Sequence, residues 1–108
     1  MGMSLATVLV FKMNDAALKR RIAELARDSS NIIVTPHAKK RMRQRGILPT
    51  QLQQVLLKGL MYEGAHQDIY GCWKCTLELT VAGDLIRAAA ALGEDKNNNK
   101  VIVITVMN

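Results

Sequence analysis

Residues Thr35 to Ile47 read T-P-H-A-K-K-R-M-R-Q-R-G-I, and residues of these types could do phosphate chemistry. A histidine can carry a proton near neutral pH. Guanidinium groups hold phosphate oxygens in bidentate pairs. If the run is a helix, residues three and four apart are neighbours on its surface. His37, Arg41 and Arg45 then form one ladder, Lys39 and Arg43 a second, and Ala38 and Met42 an apolar docking stripe. The first ladder predicts a site where His37 donates or accepts a proton while Arg41 and Arg45 hold a phosphate. A purely structural alternative has His37 capping the first turn and the arginines paired with acids such as Glu63 or Glu78.

The elements that must position this run follow from local signals. Thr35 is the expected N-cap and Pro36 the first helical residue. Gly46 is expected to end the helix in the left-handed conformation. Before it, Ala6 to Met13 is a strand candidate. Asn14 is placed to cap a helix over residues 15–28, with Leu18, Ile22 and Leu25 on one stripe. Ser29-Ser30-Asn31 breaks that helix, and Ile32-Ile33-Val34 reads as a short buried strand. After Gly46, Pro49-Thr50 opens a third helix ending near Gly59, with Thr50 and Gln53 as a capping box and Leu52, Val55 and Leu56 facing inward.

The remainder reads as strands over residues 70–79, 85–92 and 101–107. In the first, Trp73, Cys75, Leu77 and Leu79 face the core, while Cys72, Lys74, Thr76 and Glu78 face away. The last is apolar on both faces apart from Thr105, as a central strand should be. Asn97-Asn98-Asn99 is the expected turn before it. Residues 63–68, which include His66, read as a polar loop. The order after the first helix is β-α-α-β-β-β.

The 108 residues suit one compact domain with an aliphatic core. Charge is unevenly distributed. Residues 12–58 carry eleven Lys and Arg against three acids, whereas residues 59–108 carry four against six. That asymmetry favours an anionic partner for the first half of the chain. The apolar stretch 4–11 is too short to span a bilayer, so no membrane is expected and a cytoplasmic location is the default. Cys72 and Cys75 would lie on opposite faces of a strand, which argues against a metal or redox pair. No cofactor is called for.

The string His37-Ala38-x-x-Arg41-Met42-x-x-Arg45-Gly46-Ile47, followed by a short helix and a sheet ending V-I-V-I-T-V, resembles an uncharacterised bacterial family. That family is similar to the RelE-like and BrnT-like toxins, small ribonuclease folds with two helices on an antiparallel sheet. The resemblance covers residues 32–107. It implies an α+β fold: a RelE-like core over residues 32–108, with helices on one face of an antiparallel sheet, and an extension over residues 1–31. That extension would add an edge strand or support a homodimer.

The resemblance further implies metal-independent RNA cleavage, in which a 2′-hydroxyl attacks the adjacent phosphate. His37 would carry the proton, and Arg41, Arg45 and Arg87 would stabilise charge. Glu78 would serve as base. Lys39, Lys40, Arg43 and Lys74 would bind RNA, either free or ribosome-associated. A second expectation is a non-catalytic module of the same fold, whose basic helix docks an acidic, antitoxin-like protein. DNA binding by a helix-turn-helix fits less well, because the helix after Gly46 carries a single cation, Lys58.

Overall fold

The computed structural model describes residues 14–93 and 100–107. The candidate strand at residues 6–13 and the asparagine turn at residues 97–99 lie outside them. Helix α1 spans Asp15–Ala26, β1 Ile32–Val34, α2 Pro36–Arg45 and α3 Pro49–Lys58. Strands β2 (Leu60–Gln67), β3 (Trp73–Val81), β4 (Asp84–Leu92) and β5 (Val101–Met107) follow. The fold class is α+β; the described residues form three α-helices and a five-stranded sheet in the order β1-β5-β4-β3-β2.

The sheet is mixed rather than antiparallel, because β1 runs parallel to β5 while the other pairs are antiparallel. It also contains a strand that sequence patterning missed. Strand β2 occupies residues expected to be loop, and its register shifts twice against β3. Those irregularities and Gly64 destroy the two-residue alternation that marks a strand. His66 therefore sits on an exposed edge strand, where Nδ1 lies 2.9 Å from the Gly64 carbonyl oxygen. At the other end of the hairpin, β3 begins at Trp73, so Tyr70 to Cys72 belong to the connecting loop.

One hydrophobic core joins the helices to the sheet. Leu18, Ile22 and Leu25 of α1 meet Leu52, Val55 and Leu56 of α3 and the inward-facing Cys75, Leu77, Ile86, Ala88 and Val103 of the strands. Each fully buried leucine or isoleucine contributes about 1.5–3 kcal/mol of transfer free energy. Helix α1 is thus part of the core. Strand β5 is central, as its two apolar faces predicted, and its inward Val101, Val103 and Val106 are fully buried. Strand β1 is an edge strand with Ile33 exposed, which corrects the expectation of a buried one.

One helix end and one helix start differ in detail from expectation. Asn14 caps α1 by accepting the Ala17 N–H at 2.8 Å. Helix α1 stops at Ala26 because Asp28 instead accepts the Ser30 N–H and hydroxyl, folding Ser29–Asn31 into a 3₁₀ turn. For α3 the N-cap is Leu48, and Gln51 Oε1 accepts the Leu48 N–H at 2.9 Å. The expected Thr50–Gln53 box is therefore shifted by two residues. Gln53 is needed elsewhere: its Nε2 donates to the Ala26 carbonyl at 2.8 Å, tying α3 to the end of α1.

Candidate nucleic-acid interface

Helix α2 is held at both ends and along one side. Thr35 Oγ1 accepts the Ala38 N–H at 3.2 Å, and the same hydroxyl donates to the Ile104 carbonyl at 3.0 Å. Ile104 is the residue that the register shift between β5 and β4 leaves without a partner, so its carbonyl is available. The Thr35 N–H donates to the Val103 carbonyl, which adds a second tie to β5. At the C-terminus Gly46 is left-handed (φ 66°). Its N–H donates to the Arg43 carbonyl, and the Ile47 N–H donates to the Met42 carbonyl at 2.9 Å. This is a Schellman closure, in which the residue after the glycine turns back against the helix. Ala38, Met42 and Ile47 are all buried. Four positions of the run, Ala38, Met42, Gly46 and Ile47, are thereby accounted for by docking and termination.

The cations occupy the rest of the helix surface. His37, Lys39, Lys40, Arg43 and Arg45 are exposed, and Arg41 is half buried with its Nε buried and unpaired. Among the described residues no carboxylate pairs with Lys39, Lys40, Arg41 or Arg43. The acids named by the structural alternative are engaged elsewhere. Glu78 pairs with Arg87, and Glu63 accepts the Thr76 hydroxyl at 3.5 Å. The first turn is capped by Thr35, which leaves the His37 ring without a capping role. Pro36 has no N–H, and the next two donors after His37 are bound to Thr35, so the His37 amide is the open donor of that turn. Positive helix-end charge, an exposed imidazole and four cations with no carboxylate among the described residues therefore share one helix.

The other predicted residues lie on the opposite face of the sheet. In β4, Ile86, Ala88 and Ala90 face the core, so alternation turns Arg87 away from the helices. Arg87 Nε donates to Glu78 Oε2 at 2.9 Å, and its guanidinium lies 3.9 Å from the centre of the Tyr62 ring. The Glu78 hydrogen bond, foremost, holds the Arg87 pKa above its ordinary value. Lys74 pairs with Asp68 at 3.6 Å. The sheet thus separates His37, Arg41 and Arg45 from Arg87, Glu78 and Lys74. Sequence reasoning did not find Tyr62, and no local signal marked it. Its place over Arg87 depends on β2, whose pattern is irregular, and on the register across two strand pairs.

Cys75 is buried in the core, and burial pushes its thiol up to about 11. Cys72 is half exposed in the loop before β3, and neither cysteine is disulfide-bonded. Among the described residues no cluster of histidine, cysteine and carboxylate side chains could hold a metal ion, and no helix is long and apolar enough to cross a membrane.

No characterised protein and no solved structure matches the chain at a significant level. A family profile does match: the domain of unknown function DUF4258, over residues 34–108. The match begins just before Thr35 and takes in α2, α3 and strands β2 to β5, leaving α1 outside. On that coverage the chain belongs to the DUF4258 family.

Proposed function

We propose that this protein is a toxin-like RNA-binding domain whose α2 surface engages the phosphate backbone. The observation that carries the reading is that Lys39, Lys40, Arg41 and Arg43 project from one anchored helix with no carboxylate among the described residues to neutralise them. Concentrated, unpaired positive charge on a rigid element is the electrostatic footprint of a nucleic-acid surface. RNA suits it better than duplex DNA. The helix that follows Gly46, which a helix-turn-helix would place in the major groove, has one cation, Lys58, at its last position.

The reaction that fits this surface is metal-independent cleavage. His37, exposed at the helix start, would transfer the proton, and Arg41 with Arg45 would hold the scissile phosphate. Arg87 and Glu78 neutralise one another across the sheet, so the catalytic reading rests on the helix ladder. The test is incubation of purified protein with single-stranded RNA in chelator, beside His37→Ala and the quadruple Lys39/Lys40/Arg41/Arg43→Ala variant. Cleavage by the wild type, lost in His37→Ala with binding retained, is the expected result. Equal cleavage by wild type and His37→Ala would remove the catalytic assignment. Equal binding by the quadruple variant would remove the RNA surface itself.

A specific feature supports a second reading, docking of an acidic protein on the same helix. Met42, Ile47 and Pro49 line an apolar depression rimmed by Lys39 and Arg43. An acidic segment carrying an apolar anchor would complement both. Binding to RNA that is insensitive to salt would favour this reading over the first.

A further inference from the structure

One cation of α2 is built differently from its neighbours. Lys39, Lys40 and Arg43 are exposed, whereas Arg41 is half buried. Helical period explains the difference. Arg41 follows Ala38 by three residues and falls on one flank of the buried Ala38–Met42 stripe, so its methylene stem runs beside the docking surface. Lys39 and Arg43 fall on the other flank, where they rim the apolar depression of Met42, Ile47 and Pro49. Arg41 takes no part in that lining.

Burial extends along the side chain to the guanidinium. Among the described residues, Nε of Arg41 is the only buried side-chain nitrogen or oxygen without a hydrogen-bond partner. No carboxylate among those residues pairs with the group either. The two Nη atoms, also without a partner among the described residues, are the part of the group open to solvent. A buried donor left unpaired costs stability, and folded proteins satisfy nearly all of them. An arginine turned out to water would avoid that cost. Arg41 bears it, with a packed stem and an outward Nη pair, so its guanidinium is in place before any anion arrives.

We propose that Arg41 is the phosphate anchor of the α2 surface, while Lys39, Lys40 and Arg43 supply potential without fixing where the phosphate sits. The inference rests on the RNA reading above and assigns the recognition within it. Two oxygens of one phosphate take both Nη groups end-on, a pairing that a lysine ammonium cannot form. The bound anion offsets the charge of a guanidinium whose Nε is left uncompensated by the protein. A packed stem leaves little rotamer freedom to lose at that step. Exposed cations on mobile stems attract through charge alone, and exchanging one carrier for another changes little. A carboxylate also offers two oxygens. The depression that would seat an acidic protein's apolar anchor, however, lies on the opposite flank, beside Lys39 and Arg43. Position therefore favours phosphate as the occupant at Arg41.

The experiment compares single substitutions in the full chain by fluorescence anisotropy with a labelled single-stranded RNA across a salt series. Arg41→Lys keeps the charge, so the salt slope should match the wild type while affinity falls about tenfold. Arg43→Lys should stay within about twofold of the wild type. Thermal denaturation without RNA supplies an independent measurement. Arg41→Met keeps an apolar stem and removes the unpaired donor. Its Tm should exceed that of Arg43→Met, which loses the same charge from an exposed position, by about 5 °C. Equal affinities of Arg41→Lys and Arg43→Lys, with wild-type binding that weakens in salt, would overturn the anchor and leave the RNA reading standing. Wild-type binding that ignores salt would overturn both. A Tm for Arg41→Met at or below that of Arg43→Met overturns the anchor by itself, because the guanidinium is then held for stability. Poly-glutamate is the competing ligand: an equal loss of poly-glutamate and RNA affinity in Arg41→Lys would give the position to an acidic protein and overturn the phosphate assignment.

Discussion

Helix α2 and the open face of the sheet carry comparable numbers of charged groups, yet they treat them in opposite ways. On the sheet face, Arg87 has Glu78 and the Tyr62 ring, Lys74 has Asp68, and Glu63 has Thr76. On α2, Lys39, Lys40, Arg41 and Arg43 have no carboxylate among the described residues, and a nitrogen of Arg41 is buried unpaired. Partnered charges hold a surface in place and leave little free potential. Unpartnered ones repel one another and are retained at a cost in stability. On the proposed reading, an anion binds the helix rather than the sheet.

The largest expected effect breaks the comparison at its centre. Replacing Lys39, Lys40, Arg41 and Arg43 by alanine should lower the salt slope of RNA binding by about 0.7 per cation, or about 3 for the four. Arg87→Ala should leave that slope unchanged, as measured by fluorescence anisotropy across a salt series. A shared loss would mean that both faces contact RNA.

Second is the docking that keeps α2 rigid. Met42→Ala removes a buried side chain and should destabilise the fold by about 2–5 kcal/mol. Gly46→Ala should cost only about 1–2 kcal/mol, because nothing lies within 4 Å of an added Cβ and the penalty is the left-handed backbone alone. Urea denaturation reads both, and a larger loss for Gly46→Ala would reverse the ranking.

The sheet face offers a smaller effect. The Glu78–Arg87 pair is about one-third exposed on each side. A double-mutant cycle with Glu78→Gln and Arg87→Met should therefore give a coupling of about 0.2–1 kcal/mol. A coupling well above that range would mark the pair as a built centre rather than a surface contact.

The smallest effect is local. The Cys72 N–H, above all, holds the Asp68 carboxyl below the usual carboxylate range. A depressed folded-state value means that the bond's contribution is fully present above the unfolded value and is lost as pH falls through the folded one. The protection factors of the Tyr70 and Cys72 amides should fall only on strong acidification, and Asp68→Asn should remove the pH step. Protection factors that do not change with acid would mean that Asp68 does not hold the β2–β3 loop.

Much of the helical part of the fold was legible in the sequence because its signals are local. Thr35, Pro36 and Gly46 fix the two ends of α2 through bonds to neighbours within a turn or two, and Ala38 with Met42 marks the buried stripe at helical spacing. Asn14 and the Leu18-Ile22-Leu25 stripe did the same for α1. The alternation in β3 and the two-sided apolar character of β5 gave their burial. Strand β2 stayed hidden because an edge strand with register shifts has no alternation to read.

For the candidate site, the sequence by itself determined which residues share a helix face and which of them dock, since helical period alone sets that. It also determined the charge asymmetry that an anionic partner would feel. Only the tertiary structure decided that Arg87 and Glu78 stand across the sheet from His37, because their face depends on alternation relative to a core assembled from distant segments. It also decided that Glu63 and Glu78 are spent on Thr76 and Arg87, leaving Lys39, Lys40, Arg41 and Arg43 with no carboxylate among the described residues. Pairing between charges far apart in sequence is set by strand register and layer order, and neither is encoded in the spacing of any single segment.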